Sequence, residues 1–397
     1  MDSNNPLQER LKFLGIYSNN QDEFFRVRVA TLHRLVALNE KEYPRKSAYY
    51  QNVLDEVYEL VRKEQNTFAR AYQDIRKAYE GHGINLLNEK QITKTQGEYI
   101  RKYFREKVRQ YVFPIMLKNL KNPEYLKDKS IYLAVILHRK DNPDKPHYAM
   151  LTIPTKQVGR FLVLPKEEKN QYVIILDDII RYCLDDIFSV FDYSGYEAYT
   201  FKFTRDAELD MDEDVSKSFL EIMSDSLKKR SMGSPVRFVY DRQMPENLRN
   251  KLASRISGDK ADHLVEGGRY HNFKDFTTFP SLLGSEHQYK KTSPIWHKRL
   301  TPRKSVFEAV RHKDILLHYP YQSFQHVLDL LREASIDPKV RSIKMTLYRV
   351  ANPSAVINAL INAARNGKNV KVFLEVQARF DEKQNIYLAE KLQQAGV

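Results

Sequence analysis

The chain has 397 residues, 42% hydrophobic, 29% charged and 12% aromatic, a composition that excludes a disordered chain and is long enough for two or three hydrophobic cores. The balance of 65 Lys and Arg against 51 Asp and Glu gives a formal charge of +14, a field that draws in polyanions without choosing among nucleic acid, anionic lipid, nucleotide and inorganic polyphosphate. Cys183 is the only cysteine, which excludes an intrachain disulfide and a cysteine cluster for zinc and makes a reducing, cytoplasmic setting the default.

The N-terminus, MDSNNPLQERLKFL, lacks a basic stretch followed by an apolar one, and no uninterrupted apolar run is long enough to cross a bilayer, so a soluble chain is expected. Zinc-finger spacing and the aromatic RNA-binding signature are missing, so nucleic acid is not expected as a partner. Peripheral association with anionic membrane through the basic surface stays open.

The expected fold is multidomain, α and α/β. Residues 1–81 read as a helical N-terminal domain. Leu11, Leu14 and Ile16 lead into YSNNQDEFF, and Phe24, Val27, Val29, Leu32, Leu35 and Val36 follow mostly at three- and four-residue spacing. Asn20 is read as the hinge and N-cap between two helices, with Glu23 three residues on as in a capping box and Asp22 complementing the helix dipole. A second amphipathic helix is expected from about Ala48 to Tyr79, ended by GHG at 81–83.

Residues 82–296 read as an α+β head domain with an antiparallel sheet. Strands are expected in SIYLAVILHR, HYAMLTIP, RFLVLP, YVIILDD, YEAYTFKF and VRFVYD, with helices in IIRYCLDDIFSVF and SKSFLEIMSDSLKKR. Cys183 lies among apolar neighbours and is assigned to core packing. The polar, basic stretch KKTSPIWHKRLTPRK reads as a linker.

Residues 297–397 alternate as strand DILLHYP, helix SFQHVLDLLREAS, strand RSIKMTLYRV, helix SAVINALINAARNGK and strand NVKVFLEVQAR. That βαβαβ order implies a parallel sheet, with ligands beyond the carboxyl ends of its strands. Phe324, Val327, Leu328 and Leu331 form one helix stripe; Val356, Ile357, Leu360, Ile361 and Ala364 form the other; Gly367 supplies a left-handed C-terminal position. Arg349 and Arg379 are expected to close two of these strands on the same edge. A guanidinium there can clamp phosphate oxygens, or simply pair with a local carboxylate such as Glu375 or Asp381.

The segments PLQERLKFLGIYSNNQDEFFRVRVA, FTRDAELD, VEGGRYHNFKDF, HYPYQSFQHVLDLLREASIDPKV, LYRVANPS and LEVQARFDEKQNI resemble the bacterial polyphosphate kinases of the phosphohistidine type, over essentially the whole chain. The resemblance implies a helical N-terminal domain, a head domain used in dimerisation, and catalytic domains of phospholipase D-like fold, of which 297–397 would be part of the first. It also implies reversible transfer of the terminal phosphate of ATP to polyphosphate through a phosphohistidine, with Mg2+, in a homodimer or higher homo-oligomer. Asn20 matches the family's ATP-contacting asparagine, against the plainer role of helix cap. Arg349 and Arg379 match the arginines of the magnesium and phosphate site, where a guanidinium, having no lone pair, would hold metal-bound phosphate.

The family's reactive histidine belongs to an H-x-K-x4-D motif that none of the 11 histidines satisfies. His138-Arg139-Lys140 lacks the aspartate, and His312-Lys313-Asp314 matches in letters only. The nucleophile is therefore expected beyond Val397, and the chain alone is expected to be inactive. Arg269, His271 and Lys274, beside a glycine pair, are candidates for a polyanion path, against a solvated loop that fixes domain orientation. Two other functions stay open: a phospholipase D-type phosphodiesterase, and a non-catalytic polyanion-binding module.

Overall fold

The structure, a computed structural model, describes residues 2–120, 126, 130–167, 169–205, 235–256, 264–301, 304–379 and 381–397. It divides into two compact units, one comprising the described residues up to 205 and from 235 to 289, the other those from 290 onward.

In the first unit, α1 (Leu7–Phe24) buries Leu7, Leu11 and Leu14, spaced by a helical turn, against Tyr72, Ile75 and Tyr79. Gly15 permits its close approach to the turn Phe273–Thr278: a Cβ at Gly15 would stand 2.8 Å from Thr277 Cγ2. The helix does not break at Asn20. It runs on into a π-helical turn, Phe25–Val29, and then α2 (Ala30–Asn39), so Asn20 is an exposed mid-helix residue. Flanking burial of Leu14 on one side and Phe25 on the other outweighs the weak helix propensity of the Ser18-Asn19-Asn20 run. Asn20→Ala is accordingly expected to raise helix stability by about 0.5 kcal/mol, read as a small upward shift in urea midpoint; a loss near 1 kcal/mol, the size of a lost cap, would reinstate the hinge.

Helix α3 (Pro44–Gly81, 38 residues) starts with proline in its first turn, where a missing N–H is harmless. Leu54 and Val61 pack on Phe25, Val29 and Ala30.

Next come β1 (Ile84–Leu87), α4 (Lys94–Tyr103), β2 (Ile115–Met116), β3 (Tyr132–Arg139), β4 (His147–Thr152), the single turn α5 (Thr155–Val158), β5 (Phe161–Val163), β6 (Gln171–Ile175), α6 (Leu176–Tyr182), α7 (Leu184–Ile187), β7 (Tyr193–Arg205), β8 (Pro235–Asp241), α8 (Glu246–Ile256) and β9 (Leu264–Gly267). The larger sheet has the order β2-β4-β3-β7-β8-β9. Strand β3 is apolar from Leu133 to Leu137 because both its faces are covered there: Leu133, Val135 and Leu137 meet Ile100, Ile179 and Cys183, while Ala134 and Ile136 meet Leu248 and Leu252 of α8. Cys183 is thus a core residue.

The sheet is antiparallel except at β8/β9, and the smaller sheet β1-β6-β5 has one parallel pair, β1/β6. Both exceptions join strands far enough apart in sequence for a crossover, and β8-α8-β9 is itself such a unit. The helix expected in SKSFLEIMSDSLKKR lies outside the described residues.

The second unit contains α9 (Val306–His312), α10 (Gln325–Ile336), β10 (Ser342–Leu347), α11 (Ala355–Arg365), β11 (Asn369–Leu374) and α12 (Glu382–Gln394). Strands β10 and β11 pair in parallel, Ser342 opposite Asn369 through Leu347 opposite Leu374. Val356, Ile357, Leu360 and Ile361 are buried with Leu331, Leu388 and Leu392; Phe324 leaves its expected stripe and packs on Tyr319. Ser354 caps α11 by accepting from the Ile357 amide, and Gly367 takes φ 78° after its end.

The expected strand DILLHYP does not form. Its backbone finds no ladder partner among the described residues, Leu316 is 87% exposed, and the His318 amide donates instead to Gln322 Oε1. The basic stretch before it is no free linker either: Ile295 bridges Gln322, and Trp296 sits edge-on to His326 at 4.8 Å.

Candidate functional site

Arg349 lies two residues beyond β10 and Arg379 five beyond β11, so both follow the carboxyl ends of adjacent parallel strands without belonging to them. Asn385 of α12, fully buried, donates from Nδ2 to the carbonyls of Tyr348 (2.8 Å) and Glu375 (2.7 Å), the residues just past the two strands. It thereby fixes the two exits to one another. Arg349 donates from Nη2 to the Arg379 carbonyl at 3.2 Å and from Nε to Asp381.

The Arg349–Asp381 pair is 58% and 29% exposed at its two side chains, and pairs of that kind contribute at most about 1 kcal/mol. It is weak enough for a phosphate to replace. Glu375, the other carboxylate considered, accepts from the Gln377 amide. Asn385 was missed in sequence, although its place three and seven residues before Leu388 and Leu392 in an apolar stripe was a usable signal.

Asn20 belongs to the first unit, and its exposed side chain lines neither of two cavities beside it. Its neighbours Tyr17, Ser18 and Gln21 line one of about 500 Å3; Gly15, Ile16 and Asn19 line the other. Arg269 and His271 face the first cavity and Lys274 the second, so these three do not share one surface. Arg269 is held by Glu89 and by Asp178 Oδ1 at 3.0 Å. Despite the desolvation that opposes it, its pKa rises through these carboxylates. Asp178, wholly buried, also accepts from Arg181 Nη1 (2.7 Å) and the Tyr270 hydroxyl (2.6 Å).

His271 is buried with Nε2 3.2 Å from the Thr200 carbonyl, which assigns the proton to Nε2. Burial, with Lys202 nearby, lowers its pKa to about 3. Gly267 must be glycine here, since a Cβ would stand 2.7 Å from both His271 Cε1 and Val239 Cγ1. Asp22 is buried and bonded to Lys202 Nζ at 2.6 Å rather than completing a capping arrangement. Lys202 and Arg237 hold its pKa below the ordinary value against the opposing effect of burial.

Because the folded pKa of His271 lies below its unfolded value, the unfolded chain binds the extra proton as pH falls. The contribution is complete above about pH 6.5 and is lost toward pH 3. Stability is expected to fall by up to about 1.4 kcal/mol per pH unit within that window, and His271→Gln to flatten urea-melt stability between pH 6.5 and 5; an equal slope in the variant would assign the loss elsewhere.

Helices with mixed sheets in the first unit, and a parallel α/β arrangement with two arginines beyond its strand ends in the second, make this a mixed helical and α/β protein. The family described as Polyphosphate kinase N-terminal domain matches residues 1–87, the middle domain 95–279 and C-terminal domain 1 305–397. The Polyphosphate kinase of Escherichia coli (strain K12) is 43% identical over 408 residues, covering all of this chain and 58% of that protein. That of Salmonella typhimurium is 43% identical over 404 residues with the same coverage. The crystal structure of Polyphosphate Kinase from Porphyromonas gingivalis superposes with a TM-score of 0.75 at 31% identity, covering 100% of this chain and 55% of that one. The chain belongs to the polyphosphate kinase family, and it spans rather more than half the length of these relatives.

Proposed function

We propose that the chain contributes to an ATP:polyphosphate phosphotransferase, in which the terminal phosphate of ATP passes reversibly to inorganic polyphosphate through a phosphohistidine that is none of the histidines described above. The observation that carries this reading is the pair of arginines following adjacent parallel strands, in a chain that matches three polyphosphate kinase domains in order. Arg349 and Arg379 clamp phosphate oxygens and neutralise charge as the phosphoryl group moves. Asn20 contacts ATP from the solvent face of α1.

Magnesium enters as part of the Mg–ATP substrate. Among the described residues no three His, Cys, Asp or Glu side chains gather as a metal site, and an ion carried by phosphate oxygens needs few protein ligands. Domains 1–81, 82–296 and 297–397, a homodimer or higher homo-oligomer, a cytoplasmic location and peripheral contact with anionic membrane belong to the same proposal. Among the described residues no helix is long and apolar enough to cross a membrane.

The test is made at two lengths. A protein of the relatives' full length carrying this chain should form polyphosphate and ADP from Mg–ATP; ATP-independent release of an alcohol from a phosphodiester would instead identify a phosphodiesterase. The 397-residue chain alone, given γ-labelled ATP, should take up no acid-labile label. Label mapped to His138, which faces Glu197 at 2.8 Å, to buried His271 or to His318 would put the nucleophile inside this chain.

A further inference from the structure

The larger cavity of the first unit is bounded by α1, α3 and the β8–β9 end of the six-stranded sheet, and its volume of about 500 Å3 suits a small ligand. Six cationic side chains reach its wall, Arg62, Arg76, Lys202, Arg237, Arg242 and Arg269, against the single carboxylate of Glu266. Three of the six are neutralised locally: Arg76 by Glu80, Lys202 by Asp22, and Arg269 by Asp178 and Glu89. Arg62, Arg237 and Arg242 have no carboxylate within ion-pair distance among the described residues.

Arg237 is the decisive member. It is 2% exposed, its guanidinium stacks on the Phe25 ring at 4.1 Å, and Nε has no hydrogen-bond partner. The Gln65 amide, oriented with its oxygen toward Arg237, accepts from Nη2 at 2.9 Å and gives its nitrogen to the Glu266 carbonyl. A guanidinium carries five N–H donors and cannot shed its proton; Asp22 acts on Arg237 only through space and is itself bonded to Lys202, so the buried guanidinium, with a single amide acceptor, has donors left for a further anion. The rim arginines, Arg62 and Arg242, are exposed and can close on a ligand from solvent. Part of the wall is aromatic, with Phe68 in contact with both Tyr17 and Phe273.

We propose that this cavity binds a small oligophosphate anion, free or as the phosphate tail of a nucleotide, through Arg62, Arg237 and Arg242. Three guanidiniums match several phosphate oxygens bidentately, and the aromatic wall has room for a base. The site lies wholly within the first unit and does not depend on the arginines of the second. His271, the imidazole on its wall, is buried and bonded to the Thr200 carbonyl, so the cavity binds without transferring. A ligand there would tie α1 and α3 to the sheet and stabilise the first unit by mass action.

The test uses the 397-residue chain carrying Arg349→Ala and Arg379→Ala, so that failure here is distinguishable from failure of the phosphotransferase reading. Tripolyphosphate and ADP are titrated by equilibrium dialysis at fixed ionic strength, with thermal shift as a second readout. Saturable binding is expected, weakened about tenfold or more by Arg62→Ala with Arg242→Ala, and lost in Arg237→Met. A charge-matched pair on α3 outside the wall, Arg70→Ala with Lys77→Ala, should change it less than about twofold. Tighter binding of ADP identifies a nucleotide site; equal or weaker binding identifies the inorganic chain. No saturable binding, or equal weakening by the control pair, overturns the proposal. Because Arg62 and Arg242 are exposed, that outcome holds even if Arg237→Met fails to fold.

Discussion

Replacing Arg349 or Arg379 by alanine in a protein of the relatives' full length is expected to lower turnover about a hundredfold while leaving the fold intact. Removing one preorganised donor from a developing charge costs roughly 3 kcal/mol of transition-state stabilisation. The exposed Arg349–Asp381 pair contributes at most about 1 kcal/mol to stability, so the two consequences separate. Asp381→Asn sharpens the test. It takes away the resting partner of Arg349 but no phosphate contact, so turnover should change by no more than a few-fold. Steady-state kinetics with Mg–ATP decides: a folded Arg349→Ala enzyme with wild-type turnover would reduce Arg349 to a structural ion-pair residue, and likewise for Arg379.

Asp178→Ala is expected to be the most destabilising single change near the cavity, by about 3 to 5 kcal/mol in urea unfolding. Its carboxylate is wholly buried and receives Arg181, Arg269 and the Tyr270 hydroxyl together. Truncation would take the bonded carboxylate from Arg181 and one partner each from Arg269 and the Tyr270 phenol, and the stranded charge, more than the lost bonds, sets the cost. Arg181 keeps bonds to the Ala198 carbonyl and the Thr200 hydroxyl, and Arg269 keeps Glu89. A loss below about 1 kcal/mol would mean that these second partners suffice.

The residues that form elements were largely legible in sequence. Strand β3 shows as an apolar run because both its faces are covered, and α11 by its Val356, Ile357, Leu360 and Ile361 stripe. Two errors share one cause, local signals overruled by tertiary partners. The cap-like run at Asn20 is absorbed into a helix held on both sides by buried neighbours, and Ile315-Leu316-Leu317 has strand composition but nothing to pair with among the described residues.

The candidate sites were legible to different degrees. Arg349 and Arg379 stand out because they follow apolar strands. The cavity of the first unit showed only in part: Arg269 and His271 stood out beside their glycine pair, but the wall also gathers side chains from residues 17–21, 62–76, 88, 202 and 237–242, which no single segment displays. Asn385 was concealed by its commonness, for only the fold shows that its amide reaches two carbonyls at once.

The π-helical turn at Phe25–Val29 holds one residue more than an α-helical path would need. Each helical residue advances the azimuth by about 100°, so this extra residue is a phase shifter between α1 and α2. It lets Leu7, Leu11 and Leu14 face Tyr72, Ile75 and Tyr79 of α3 while Phe25, Val29 and Ala30 face Leu54 and Val61 of the same helix. Deleting a residue as innocuous as exposed Arg28 would swing α2 by that angle and carry Leu32 and Val36 off the buried cluster that includes Leu54 and Val61. At this point the chain is more sensitive to its count of residues than to their identity, and a substitution there does less harm than a gap.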